Sequence, residues 1–308
     1  MDLGHLSNKS ILVTGANGFI GSHLLKMLEN TDAIIHAIDL DFKNATLDDS
    51  SVILHRLDLR DQETVNRIIR QIQPAHVIHL AGNTDRSRKL EKVDEIMSAN
   101  LNSTINLLTA LQDINYESFV LSSTCEIYGS NNNCPINEEM EPDPVSLYSL
   151  SKLLAENYCT FITRNHNKPI TILRLFNVYG EGQNDTMFIP QLIKACKEKK
   201  RFKMTGGNQT RDFVYIRDVV RAFLLATKIP DPNCNIVNIG SGKSISIRNL
   251  AVSIASRIKC GDNLDIGALP YRSNEIWRIE ANINKAQKVL GWLPEYPIEN
   301  GIDKLLSK

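Results

Sequence analysis

Two side chains four residues apart carry the clearest chemical potential in this sequence: Tyr148 and Lys152, in Tyr-Ser-Leu-Ser-Lys. At that spacing on a helix, a tyrosine and a lysine project from one face. A nearby ammonium stabilises phenolate and lowers a tyrosine pKa from its usual ~10. Such a tyrosine can take a proton from a hydroxyl while hydride leaves the same carbon. Twenty-four residues upstream lies Thr124, in the run Ser122-Ser123-Thr124-Cys125-Glu126-Ile127-Tyr128-Gly129. The run adds a hydroxyl, a thiol and a carboxylate. A thiol of pKa ~8.5 is protonated at neutral pH and can act as a weak acid. Cys125 equally reads as a small buried residue, and Glu126 as one partner of a loop salt bridge.

A second cluster reads as a phosphate cradle. Thr14-Gly15-Ala16-Asn17-Gly18-Phe19-Ile20-Gly21 has glycines at G-x-x-G-x-x-G spacing, one residue wider than the usual dinucleotide fingerprint. Missing Cβ atoms let the backbone turn tightly and approach a pyrophosphate, and a helix N-terminus adds unpaired N–H groups. Asp39 follows 18 residues after Gly21. A carboxylate there accepts both ribose hydroxyls of an adenosine and repels a 2′-phosphate, which favours NAD over NADP. Asp41 adds to that repulsion, and Asp58, after the third strand, reads either as a partner for an adenine amino group or as a solvated loop acid.

These clusters need elements to position them. Short apolar runs at Ser10–Thr14, Ile34–Ile38, 51–54, His76–Leu80, Ser118–Ser122 and 170–174 alternate with helical spacing at 22–30, 62–73, 94–112 and 149–165. Strands alternating with helices imply right-handed crossovers and a parallel sheet, with ligands at the carboxyl ends of its strands. The fold expected is α/β, a doubly wound parallel sheet over residues 1–176, with a smaller domain over 177–308. The chain is expected to cross back to the first domain around 213–240. Beyond Tyr179, prolines at 190, 230, 232, 270, 294 and 297 break the pattern into short elements.

The composition of the 308 residues is that of an ordinary globular protein. Thirty-five Lys+Arg balance 35 Asp+Glu, so no basic field suggests nucleic-acid binding. No apolar run approaches the ~20 residues that span a bilayer. The start, Met1 to His5, shows no charged-then-apolar leader, and a cytoplasmic protein is expected. Cysteines at 125, 134, 159, 196, 234 and 260 show no C-x-x-C spacing and are expected to be reduced thiols. No metal-ligand spacing is apparent.

The sequence resembles the extended short-chain dehydrogenase/reductase family, specifically its nucleotide-sugar epimerases and dehydratases. The resemblance spans nearly the whole chain. It rests on the three glycines, Asp39, His79-Leu80-Ala81-Gly82, Asn100, Ser122-Ser123-Thr124, Tyr148/Lys152, Arg174-Leu175-Phe176-Asn177-Val178-Tyr179-Gly180 and Arg211-Asp212-Phe213-Val214-Tyr215. It implies a Rossmann-like fold with an α/β substrate-binding domain, NAD as cofactor and a nucleotide-diphosphate sugar as substrate. Tyr148 would serve as base and acid at the sugar 4-hydroxyl, with Thr124 on the 4-oxygen. Lys152 would hold the nicotinamide ribose. The implied cofactor set is Gly15, Asn17, Gly18, Phe19, Ile20, Gly21, Asp39, Asp58, Leu59, Leu80, Ala81, Gly82, Asn100, Ser122, Tyr148 and Lys152. Asn177, Arg211 and Arg272 would hold the substrate diphosphate. Relatives often dimerise through two helices from each subunit, here 94–112 and 149–165. Leu107, Leu111 and Leu154 would then serve either a core or a homodimer.

The triplet Thr124-Cys125-Glu126 bears on the reaction. A 4-keto group acidifies the C5 proton, and a carboxylate beside the ring can remove it. Hexose 4,6-dehydratases carry Thr-Asp-Glu or Thr-Ser-Glu here, so the glutamate matches and a thiol replaces the acid. Pairing a cysteine with a glutamate is similar to the tunicamycin-type UDP-GlcNAc 5,6-dehydratases. The expected activity is NAD-dependent dehydration of a nucleotide-diphosphate hexose, 4,6 or 5,6. The alternatives are a 4-epimerase of UDP-glucose or UDP-GlcNAc, and a UDP-glucuronate decarboxylase. A cofactor-sensing binding module is disfavoured, because such proteins commonly lose the tyrosine or the lysine.

Overall fold

The computed structural model describes residues 2–42, 52–86, 88–130, 133–229, 233, 235–272 and 275–307. Strands β1 (Ser10–Thr14), β2 (Ile34–Asp39), β3 (Val52–Arg56), β4 (His76–His79), β5 (Ser118–Thr124) and β6 (Ile170–Leu175) are mutually parallel. Beyond them lie β7 (Asn177–Tyr179), β8 (Phe202–Met204), β9 (Thr210–Tyr215) and β10 (Asn235–Ile239). β10 pairs in parallel with β6 and completes a seven-stranded sheet in the order β10-β6-β5-β4-β1-β2-β3. The order reverses between β4 and β1, and a ligand crevice opens beyond the strand ends at such a reversal. β5 and β6 are buried almost throughout, as strands covered on both faces must be. Of the expected third strand, Ser51 lies outside the described residues.

Helices α1 (Phe19–Leu28) and α2 (Gln62–Ile72) follow β1 and β3. α1 begins directly after Gly18, earlier than the expected residue 22. Asp61 caps α2 by accepting the Thr64 N–H at 3.2 Å. The helix expected over 94–112 is interrupted. It comprises α3 (Val93–Met97), a π turn at Ser98–Asn102 and α4 (Ser103–Ala110). Period-3.6 patterning does not register one wide turn, and such turns often mark functional positions. Leu107 and Leu111 are fully buried in the core, whereas Leu154 is partly exposed.

α5 (Leu147–His166) starts on a capping box in which the Ser146 and Ser149 side chains each meet the other's backbone N–H. A buried polar knot ties it to the sheet. Arg174 on β6 forms an ion pair with Glu156 at 2.7 Å, with both side chains almost fully buried. Ser123 on β5 donates to the same carboxylate. Arg174 also donates to the Tyr128 hydroxyl at 2.8 Å, and that hydroxyl donates to Asn238 Oδ1 at 2.7 Å.

The rest of the chain is more regular than its prolines suggest. α6 (Phe188–Lys197), α7 (Ile216–Ala226) and α8 (Ile247–Ile258) each run ten residues or more. They are joined by β11 (Ser244–Ser246), β12 (Leu264–Ile266), α9 (Asn284–Leu290) and α10 (Ile298–Leu306). A three-stranded sheet β11-β9-β7 and a pair β12-β8 complete the architecture. Cys196 at the end of α6 and Cys260 after α8 are joined as a disulfide, which corrects the expectation of reduced thiols at both positions. Linear spacing gives no hint of it, because 64 residues separate the two and helix packing brings them together. Cys125, Cys134 and Cys159 take part in no disulfide. Cys234 lies outside the described residues.

Two measurements test this framework. Replacing both Cys196 and Cys260 by Ser should lower unfolding free energy by about 2–4 kcal/mol in a urea titration, and reduction of the wild-type protein should erase most of the difference. Glu156→Gln leaves the Arg174 guanidinium buried without its countercharge. It should cost about 3–5 kcal/mol, read as a lower denaturation midpoint at unchanged m-value.

Candidate active site

The sheet delivers the two clusters to one place because β1, β4, β5 and β6 all end on the same edge. Gly15 turns the chain after β1 at φ +66°, where a Cβ would stand 2.6 Å from the Ala81 backbone nitrogen. Only glycine fits that approach. Gly21 presses equally closely on the loop, since a Cβ there would lie 2.3 Å from the Gly15 carbonyl oxygen. Asn17 N–H donates to Asp39 Oδ2 at 2.9 Å, and Asn17 Nδ2 donates to the Asp41 carbonyl at 2.8 Å. The acid after β2 is thus fastened to the glycine loop. Phe19 and Ile20 open α1 beside it. The tight glycine turn, the helix N-terminus and the acid beyond it fit a dinucleotide. Asp58 is differently employed: Arg60 chelates its carboxylate with contacts of 2.6 and 2.9 Å and holds its pKa below the usual range. Leu59 beside it is buried in the core.

A neutral histidine braces the other side. Thr104 spends its hydroxyl proton on the Asn100 carbonyl at 2.7 Å, so its oxygen accepts from His79 Nε2 at 3.1 Å. His79 Nδ1 then accepts from the Thr14 hydroxyl at 2.6 Å, and the Thr14 oxygen accepts the Ala81 N–H at 3.3 Å. Burial pushes the His79 pKa down to about 3, so the ring stays neutral. Asn100 sits in the π turn and clamps the loop after β4. Its Oδ1 accepts the Asn83 N–H at 2.6 Å, while its Nδ2 donates to the Asn83 carbonyl at 3.0 Å and to Ser151 at 2.8 Å. Gly82 passes so close that a Cβ would lie 2.7 Å from Asn100 Oδ1 and 3.3 Å from Lys152 Nζ. Leu80 packs against the main core.

Tyr148 and Lys152 emerge from the first turns of α5, both buried. Lys152 Nζ donates to the Ser122 carbonyl at 3.0 Å. Burial lowers its pKa to about 8, and Glu156 one turn later opposes that fall. Tyr148 does not show the lowering expected from its spacing to Lys152. Burial, then the negative charge of Glu126, push its phenol well above the usual value. Arg86 and a hydrogen bond with Thr124 act in the opposite direction. Thr124 is buried and accepts the Glu126 N–H at 3.2 Å, which starts the short turn Cys125–Tyr128. Cys125 is buried among Ile127, Tyr128, Ile136, Phe176, Ile279 and Ala281. Its thiol pKa is pushed up by burial, so the proton stays on sulfur.

Arg86 is the functional candidate that the sequence analysis missed. It stands among Asp85, Arg88 and Lys89 in a loop and reads there as one of several solvated charges. In the structure its Nε donates to Glu126 Oε1, and its guanidinium carbon lies 5.8 Å from the Tyr148 ring centroid.

The implied diphosphate ligands are less tightly gathered. The Asn177 Oδ1 atom is buried with no hydrogen-bond partner, an acceptor awaiting a donor. Arg211 is occupied by Glu275 at 2.7 Å and by the Ile276 carbonyl at 2.6 Å. Arg272 is exposed. The neighbouring Asp212 is a structural acid: it accepts backbone N–H groups from Ser241, Gly242 and Ala281. Among the described residues no group of acids, histidines and cysteines has the geometry of a metal site.

Comparison with known proteins agrees with this geometry. A family model described as the NAD dependent epimerase/dehydratase family matches residues 11–240. A putative UDP-glucose 4-epimerase from Methanocaldococcus jannaschii is 32% identical over 307 residues, covering 96% of this chain and 97% of its own. The dTDP-D-glucose 4,6-dehydratase of Homo sapiens is 28% identical over 313 residues, covering 97% of this chain and 89% of its own. Among solved structures, the UDP-glucuronic acid 4-epimerase from Bacillus cereus, in complex with UDP-glucuronic acid and NAD, superimposes with a TM-score of 0.85. It is 30% identical and covers 95% of this chain and 96% of that one. The cradle and the tyrosine–lysine helix thus stand in a chain that belongs to the NAD-dependent epimerase/dehydratase family of extended short-chain dehydrogenases/reductases.

Proposed function

We propose that this enzyme dehydrates a nucleotide-diphosphate hexose through a 4-keto sugar. The observation that carries the reading is Glu126: a partly buried carboxylate, held by Arg86 beside the Tyr148 ring. A simple 4-epimerase has no need of a base there, since its ketone only turns over. The chemistry NAD supplies when bound is a hydride acceptor at C4 and afterwards a hydride donor, to C6 or back to C4. Tyr148 takes the 4-hydroxyl proton, and Thr124 steadies the same oxygen. Glu126 then removes the acidified C5 proton. As C5=C6 forms and the C6–O bond breaks, the departing hydroxyl takes the Cys125 proton and leaves as water, and the sulfur regains a proton from Glu126, which holds the one taken from C5.

Residues from 177 onward supply the nucleotide-sugar side in this reading, with Asn177, Arg211 and Arg272 on the diphosphate. Paired guanidinium bonds suit that group. Leu154 and Phe161 are exposed on one face of α5, which supports pairing of two copies through that helix. A second reading, a UDP-sugar 4-epimerase, is favoured by the apolar surroundings of Cys125, which suit a packing residue. The names of several relatives agree with it.

Mass spectrometry after incubation with UDP-GlcNAc, UDP-glucose, dTDP-glucose, GDP-mannose and UDP-glucuronate separates the readings. Loss of one water from one substrate is expected. A new species of unchanged mass would replace the dehydratase with an epimerase, and loss of carbon dioxide from the glucuronate would replace it with a decarboxylase. Glu126→Gln should slow C5 deuterium uptake from solvent by about a hundredfold or more, while C4 oxidation stays measurable.

The pH profile gives a separate check. Lys152 is a cation below about 8 and loses its charge above, with its proton leaving earlier than from an ordinary lysine. Turnover that needs the ammonium should therefore fall as pH rises through about 8. A flat rate up to the ordinary lysine range of ~10.4 would show that the charge is not needed.

A further inference from the structure

The position of Arg86 is built by the fold. The Asn100 clamp fixes Asn83, the Asn83 side chain accepts the Asp85 N–H at 2.8 Å, and its amide donates to Glu95 at 2.9 Å. The chain is thus anchored up to the residue before Arg86. From there the guanidinium reaches three partners on other elements: the Glu126 carboxylate, the face of Tyr148, and the Met187 sulfur at 4.0 Å. Lys152, on the same helix as Tyr148, meanwhile directs its ammonium to the Ser122 carbonyl.

We propose that Arg86 is a positioning residue of the sugar site, whose guanidinium holds the Glu126 carboxylate beside the Tyr148 phenol and supplies the positive charge against which Tyr148 works as a base. The Glu126 half rests on the dehydratase reading above; the Tyr148 half does not. The groups facing Tyr148 are Thr124 from the end of β5, Cys125 and Glu126 from the turn after it, and Arg86 from the loop after β4. Of these, Glu126 and Cys125 oppose a phenolate, whereas Arg86 and Thr124 favour it. The guanidinium itself faces Glu126, Tyr148 and Cys125. Its removal would leave the Glu126 charge unshielded against the phenol, so Tyr148 would surrender its proton at higher pH. Arginine suits the task because a planar fork can bind a carboxylate with its edge and lie against a ring with its face.

The test uses the full chain with NAD and the substrate identified by the mass-spectrometric panel, in Arg86→Gln, Arg86→Lys and Glu126→Gln. The rate of C4 oxidation should show its acid limb displaced upward by about one pH unit or more in Arg86→Gln. The loss at neutral pH should fall on kcat rather than KM, with partial recovery in Arg86→Lys. At any fixed alkaline pH, the tyrosinate absorbance assigned to Tyr148 by difference from Tyr148→Phe should shrink in Arg86→Gln and grow in Glu126→Gln. An unmoved pH profile together with unmoved absorbance overturns the proposal, as does an effect confined to KM. Wild-type protein that releases no water from any nucleotide sugar, with the Arg86→Gln displacement intact, sinks the dehydratase reading and supports the role of Arg86 at Tyr148.

Discussion

The Glu156 carboxylate is the constraint on which the site depends. It is buried between a helix and a sheet, and it satisfies a guanidinium from β6 and a hydroxyl from β5 at once. Burying a charge is costly unless it is paired and hydrogen-bonded, and here every oxygen has a partner. The helix can settle in only one rotation and one height against the strands. Ser123 is the residue before Thr124, and Glu156 lies one turn beyond Lys152. The same lock therefore sets the Thr124 hydroxyl against the Tyr148 phenol. It also sustains the charge of Lys152 against the effect of burial.

The opposite wall is held by neutral groups. Thr14, His79, Thr104 and Asn100 pass hydrogen bonds from the glycine loop to the π turn with each donor and acceptor used. A protonated histidine would turn Nδ1 into a donor, and the Thr14 hydroxyl would lose the acceptor for its own proton. The low pKa of His79 is thus what keeps this chain intact. The π turn is its other requirement. Asn100 sits within that turn at Ser98–Asn102, and its two bonds to Asn83 anchor the loop that bears Arg86.

Much of this was legible in the sequence, for identifiable reasons. The glycine loop, Asp39, Tyr148 and Lys152 are local patterns with fixed offsets from strand ends, so one dimension suffices to find them. The strand–helix alternation is likewise a local periodicity. What escaped is long-range or environmental. The Cys196–Cys260 link depends on how α6 packs on α8. The rise in the Tyr148 pKa depends on burial, which outweighs the nearby charges that spacing brings to mind. Arg86 escaped because neighbouring charges in a loop look alike until the fold selects one. The irregularity expected after Tyr179 was also overstated. Several of its prolines fall at ends and links, as Pro190 in the first turn of α6 and Pro297 before α10 do, where proline is tolerated.

The site thus combines two cations of different permanence. Lys152 is buried, and its charge can be withdrawn near pH 8. Arg86 keeps its charge throughout the pH range in which a protein is folded. The Tyr148 phenol is faced by the fixed charge of Arg86, while the tunable charge of Lys152 is directed to the Ser122 carbonyl. In the proposed dehydration the fixed cation suits Glu126, because a partner that could deprotonate would let the carboxylate drift from the ring. The division matches the anchoring of the two residues. The tunable cation sits on the rigid helix, where burial lowers its pKa and Glu156 opposes the fall, and the permanent one rides on a clamped loop against Glu126 and Tyr148.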